Sequence, residues 1–219
     1  MSVRAALLTS IAVATAAVSA LAAPASAATL DAGGLFMLTG QPSLLAALPE
    51  PVGGVPATTP SAASQDGRFV AFTASSDGLS AEDDDTVDNN VYVKDRQTGA
   101  VTFASRRNGV AGEPSHSNCF GASISDDGTR VAFTCSGPLD PADTNNDSDV
   151  YVRDLVASRT ILISRRTGLG TVGSDDSENG VLSQTGQYVA FESQASLVTG
   201  AGAGNVYRRE IDGGDATIV

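Results

Sequence analysis

The segment DTNNDSDVYVRD, residues 143–154, sets oxygen-bearing side chains at alternate positions, Asp143, Asn145, Asp147 and Asp149, before running into an alternating Val-Tyr-Val stretch. This is the D-x-[DN]-x-[DN] spacing by which a turning segment brings carboxylates and amides onto one hard cation, calcium above all. Three of the four residues are anionic, and a cation would remove their mutual repulsion. The full twelve-residue calcium loop also requires Gly at its sixth position and Glu at its twelfth, where this chain has Ser148 and Asp154. The same residues suit a solvated Asp/Asn turn that caps its own backbone and feeds a strand. Both readings stay open, the solvated turn being favoured, and calcium is the one cofactor the spacing suggests. An echo, DDDTVDNNVYVKD at 83–95, has its acids shifted and fits the calcium spacing less well.

Cys119 and Cys135 are the only cysteines. If Ser125 faces Thr129 across a three-residue loop, Asp126-Asp127-Gly128, the resulting register sets the two cysteines directly opposite each other. A disulfide there would add up to about 3 kcal/mol in the chain-entropy account, with free buried thiols as the alternative. His116, in GEPSHSNC, is the only histidine. A Ser-His-Asp triad would need it, yet GASIS at Gly121 lacks the closing glycine of a G-x-S-x-G elbow. It reads as an exposed loop residue, and no catalytic residue is assigned. One histidine and two distant cysteines match no zinc pattern. The pairs Arg106-Arg107, Arg165-Arg166 and Arg208-Arg209 could grip carboxylates, but are expected to pair with surface acids and shield sheet edges.

The elements that carry these residues recur. SQDGRFVAFTASSDGL from Ser64, SDDGTRVAFTCSGPL from Ser125 and SQTGQYVAFESQASL from Ser183 align at a period of roughly sixty residues. Each is followed by a polar loop and a second signature, starting at Asn90, Asp149 and Asn205. Gly67, Gly128 and Gly186 follow a polar pair, as a hairpin turn with positive φ requires. A strand then alternates Val70/Phe72, Val131/Phe133 and Val189/Phe191 on one face. The other face carries Ala71, Ala132 and Ala190 and reads as free of polar residues, which predicts a sheet covered on both sides. A third strand centres on Tyr92, Tyr151 and Tyr207, and Gln97-Thr98-Gly99 turns it into a fourth, Val101 to Ala104. One copy therefore reads as one four-stranded antiparallel blade.

The combination S-x-D-G-x-x-V-A-F, an Asp/Asn-rich loop and D-V-Y-V-R-D resembles the WD-repeat-like blades of the TolB-like bacterial β-propeller family, over roughly Ser61 to Val219. The resemblance implies an all-β propeller with about three blades in this chain, near 61–105, 119–165 and 177–219 within 61–219. The third copy departs most: Thr185 replaces the turn Asp, and VTGAGAGN, 198–205, has no acid. Propellers usually close with four to eight blades. A fragment of a longer propeller is the favoured expectation, with paired chains that self-associate or an open array as alternatives. Residues 28–60 read as an N-terminal segment and linker, in which 35–38, LFML, is a candidate closing strand.

Residues 1–27, with Arg4, an Ala/Leu/Val-rich stretch and Ala25-Ser26-Ala27, read as a secretory signal peptide. The chain is then secreted or exported to the cell envelope, with no membrane span once the signal is removed. A net charge of −12 makes nucleic acid an unsuitable partner. Aromatic residues are only 5% and glycines number 23, a composition of turns and short strands. The functional expectation is an exported, non-enzymatic propeller that binds or scaffolds a protein or a cell-wall/polysaccharide partner through blade loops. The alternatives are the propeller part of a secreted hydrolase or lyase, and a purely structural repeat array.

Overall fold

The computed structural model describes residues 62–75, 79–80, 89–167 and 170–219. The expected signal peptide 1–27, the segment 28–60 with its candidate strand 35–38, and most of the acidic loop 83–90 lie outside these residues. Twelve strands follow in chain order: β1 (Ala62–Ala63), β2 (Phe69–Ala74), β3 (Asn90–Asp95), β4 (Val101–Phe103), β5 (Cys119–Ile124), β6 (Arg130–Cys135), β7 (Asp149–Asp154), β8 (Arg159–Leu162), β9 (Ser177–Leu182), β10 (Tyr188–Ser193), β11 (Asn205–Glu210) and β12 (Ala216–Ile218). They form three four-stranded antiparallel sheets, β1-β2-β3-β4, β5-β6-β7-β8 and β9-β10-β11-β12. The fold is all-β, a run of three propeller-type blades. No helix among the described residues is long and apolar enough to cross a membrane.

The S-x-D-G motif is a turn device. Gly67, Gly128 and Gly186 have φ of 68, 71 and 67°, and each donates its N–H back to the carbonyl of Ser64, Ser125 or Ser183. The serine hydroxyl accepts the N–H of the residue that opens the next strand, at 2.9 Å for Phe69 and 3.0 Å for Arg130 and Tyr188. It donates to the turn aspartate at 2.7 Å in the first copy and 2.6 Å in the second. In the third copy the serine meets Thr185 at 3.5 Å, a much weaker contact.

The turn register differs from the expected one. Ser125 pairs with Arg130, not Thr129, and Ile124 faces Val131. A β-bulge then sets Gly121 and Ala122 opposite Phe133, and this extra residue restores Cys119 to a position opposite Cys135. Gly121 takes φ 71°, and the equivalent bulge in β9 uses Asn179 at φ 59°.

The middle blade is covered on both faces. Val131, Phe133 and Tyr151 join Ala71, Val91 and Val93 of the first blade in one buried cluster. Ala132, Val150 and Val152 join Val189, Phe191 and Tyr207 of the third in another. In every blade an aromatic of the second strand stacks on the third-strand tyrosine, with centroids 5.7 Å apart for Phe72–Tyr92, 6.2 Å for Phe133–Tyr151 and 5.8 Å for Phe191–Tyr207. The alanine face is not free of polar residues: Thr73 and Thr134 lie buried on it, and Glu192 takes the same place, exposed, in the third blade. Both threonine hydroxyls are buried without a hydrogen-bond partner. Glu192 is tolerated because its face, with Ala190 and Val206, is open.

The blades are joined by the same bonds at both junctions. Gln65 donates its N–H to the carbonyl of Asp126, and Asp126 donates to that of Gln184. Near the opposite end of the innermost strands, Cys119 donates to the Asn89 carbonyl and Ser177 to the Ser148 carbonyl, each at 2.7 Å.

Candidate functional site: the acidic corner of the second blade

β6 ends at Cys135, and a loop carries the chain to Asp149 at the start of β7. Local bonds shape it. Asp140 accepts the N–H of Ala142 on its carboxylate and that of Asp143 on its carbonyl, making a tight turn. Asn145 accepts the N–H of Asp147 at 3.1 Å and donates its amide to the carbonyl of Gly173 at 2.8 Å. Asp176, from the connection into the third blade, accepts the Ser148 N–H at 2.8 Å. Two loops from neighbouring blades therefore form one corner.

Two carboxylates are driven into the interior there. Asp149 is 0% exposed and Asp143 6%. Ser164 donates its hydroxyl to Asp149 Oδ1 at 2.5 Å, and Tyr151 donates its phenol to Asp143 Oδ2. The second oxygen of each, Asp143 Oδ1 and Asp149 Oδ2, is buried without a hydrogen-bond partner. Burial pushes the Asp149 carboxyl up to about 7, partly offset by Ser164 and reinforced by Asp143, Asp147 and Asp176. Burial likewise raises Asp143, against the lowering effect of Tyr151 and of the Asn145 N–H. Tyr151 is raised in turn, by its burial first and then by Asp143.

The four residues of the alternating motif are thus divided. Asp143 and Asp149 turn inward, Asp147 stays half-buried at the rim, and Asn145 spends its side chain on holding the neighbouring loop. Among the described residues no three His, Cys, Asp or Glu side chains make a ready metal cage. Sequence spacing did not point to Ser164, Tyr151 or Asp176 as members of the corner. The signal that could have found Asp149 is the repeat itself, since the first residue of the third strand is Asn90 in the first blade and Asn205 in the third.

The remaining candidates fall elsewhere. Cys119 and Cys135 form a disulfide with Cα atoms 4.1 Å apart, and the residues are fully buried. The matching pair in the third blade, Ser177 and Ser193, is joined by a hydroxyl–hydroxyl bond of 2.8 Å. His116 is exposed, 3.7 Å from Glu113. The arginine pairs do not chiefly serve surface acids, although Arg107 lies 3.4 Å from Glu113. Arg209 is buried and donates to the carbonyls of Arg165, Arg166 and Gly214, while Arg106 grips that of Gly112. Arg153, which takes in β7 the place of Arg209 in β11, donates to the carbonyls of Arg107 and Gly109. Arg153 and Arg209 fasten the second and third blades to the connections that precede them, because a fork of donors matches several loop carbonyls at once.

Among solved structures, the chain is similar to TolB from Acinetobacter baumannii, at 19% identity and a TM-score of 0.45, over 74% of this chain and 32% of that one. It is also similar to the β-propeller domain of the Trilobed protease from Pyrococcus furiosus, at 12% identity and a TM-score of 0.46, over 74% and 42%. The chain thus spans under half the length of either. No family model matches the chain, and no curated protein matches it.

Proposed function

We propose that the chain is an exported, non-enzymatic binding module that takes a protein or cell-wall/polysaccharide partner on the loops at the acidic rim of its second and third blades. The observation that carries this reading is the corner itself. Loops 136–148 and 173–176 come from separate blades and are fastened to each other through Asn145 and Asp176, so they present a fixed surface. Thr144, Asn146, Asp175 and Asp176 are exposed on it, and Asp140 and Asp147 partly so. Such a surface offers anionic and amide groups at fixed places, which suits a basic protein segment or the hydroxyl groups of a glycan. The apparent signal peptide at 1–27 supports export, and so does a disulfide in a chain with no other cysteine.

The test is retention of the purified chain on cell-wall material and on immobilised envelope proteins, with hydrolytic activity assayed in parallel. Retention that falls at least tenfold in Asp140→Ala/Asp147→Ala/Asp175→Ala, with no turnover, supports the reading. Retention unchanged by the triple substitution, or turnover of the bound material, overturns it.

A further inference from the structure

We propose that the corner of the second blade is a calcium site in which the unpartnered oxygens Asp143 Oδ1 and Asp149 Oδ2 are the anionic ligands. Three observations converge on it. The first is the alternating spacing of Asp143, Asn145, Asp147 and Asp149, which offers oxygen donors only. The second is burial: both carboxylates are withdrawn from water, yet each has one oxygen with no hydrogen-bond donor. Burying an anionic oxygen with nothing to replace its hydration is costly, and a cation supplies what is missing.

The third observation is internal to the repeat. In the first blade the place of Asp149 is held by Asn90, whose oxygen accepts the Ser105 hydroxyl at 2.8 Å, as Asp149 accepts that of Ser164. The serine then accepts the N–H of the next residue, Val91 or Val150, at 3.0 Å in both blades. The strand start therefore needs only an oxygen acceptor, and a neutral amide provides it. The negative charge of Asp149 tightens that bond, 2.5 Å against 2.8 Å, but the bond itself does not require it. In the third blade, where the loop has no acid, Asn205 stands at the same place, and the tyrosine donates to the Ala195 carbonyl in place of a carboxylate. Between the second and third blades, the buried charge is thus found where the loop brings a second buried carboxylate and not where the loop has no acid.

Donor type selects the metal. Nitrogen and sulfur ligands are absent from the motif, which disfavours zinc, and an all-oxygen set suits calcium, which takes six to eight oxygens in loose geometry, better than magnesium. With two buried carboxylates, and with the Asn145 side chain already engaged, the remaining positions fall to peptide and water oxygens. The proposal does not depend on what the rim binds, and each can fail alone.

Calcium is titrated calorimetrically into the chelator-treated full chain, and terbium is titrated in parallel with excitation through tyrosine. The chain has no tryptophan and four tyrosines, so sensitised emission reports an ion close to a tyrosine. The expected result is saturable calcium binding with a dissociation constant of ~10⁻⁴–10⁻³ M, the range of extracellular modules. Asp149→Asn and Asp143→Asn should each weaken it at least tenfold, and Glu113→Gln should leave it unchanged. Tyr151→Phe should remove most terbium emission while calcium binding stays within a few fold. Asp149→Asn copies the residue of the sibling blades and is expected to fold, which circular dichroism checks. Absence of binding at millimolar calcium, or binding that both aspartate variants retain at full strength, overturns the site.

Discussion

The second and third blades share one frame and fill it with different chemistry. At the start of the innermost strand and the end of the next, the second blade has a disulfide and the third a bond between two serine hydroxyls. At the start of the third strand one has a buried carboxylate and the other an asparagine. Above the stacked aromatic pair, one tyrosine donates to Asp143 and the other to a backbone carbonyl. The bonds common to both are the serine-glycine turn, the backbone links between blades and the buried arginine, and these make the architecture. The features that differ are additions to it: a crosslink, and a charge that the frame does not need.

Of these features, the buried arginine should be the costliest to remove. Arg209→Met keeps much of the stem but leaves the carbonyls of Arg165, Arg166 and Gly214 without their donor, and should cost about 4 kcal/mol in urea unfolding. Arg153→Met should behave alike, and a cost for either under ~1 kcal/mol would break the claim that these arginines fasten the blades.

Replacing the crosslink by its sibling's chemistry sharpens the comparison. Cys119→Ser/Cys135→Ser should lower stability by about 3 kcal/mol through loss of the chain constraint, yet keep the fold, because Ser177 and Ser193 already show a hydroxyl pair at that register. Circular dichroism and denaturant unfolding read both outcomes. Next in size is Gly128→Ala. With φ at 71°, an added Cβ would also lie 2.2 Å from Cδ2 of Phe69, so about 2 kcal/mol should be lost. The smallest effect belongs to Gly121→Asn. The bulge site has no neighbour within 4 Å of an added Cβ, and the third blade already places Asn179 in this conformation. A change within about 0.5 kcal/mol is expected.

The repeat, the four strands of each blade and the glycine turns were legible in the sequence because they rest on alternation and on residues with one conformational use. The pairing of Cys119 with Cys135 was legible too, but by a compensation of two departures. The turn is one residue longer than Asp126-Asp127-Gly128 suggests, and the bulge at Gly121-Ala122 takes up the difference. A bulge leaves little mark in a strand of small residues, so neither departure shows in the sequence. Arg106 and Arg209 were misread for a related reason: their acceptors are backbone carbonyls, which every residue has, and two of those of Arg209 lie more than forty positions away in the chain. Of the corner, the spacing named Asp143 and Asp149 but not their burial, since the loop from the next blade that meets them at Asn145 and Ser148 is distant in sequence.

The central claim is that Asp149 is a charge without a structural use until a cation meets it, and the melting temperature of Asp149→Asn against the parent chain, with and without calcium, tests it most directly. In metal-free buffer the folded-state value of Asp149 is about 7, above the ordinary 3.8, and the charged groups facing it, Asp143, Asp147 and Asp176, are all acids. The folded chain therefore holds a proton that the unfolded chain releases, so the parent should lose stability as pH rises from about 4 to 8. Asp149→Asn should flatten much of that slope and melt several degrees higher at pH 8. Millimolar calcium should raise the parent past the variant and leave the variant unmoved, so that the order of the two melting temperatures reverses. A variant that melts below the parent in metal-free buffer at pH 8, or an order that calcium does not change, would contradict the account.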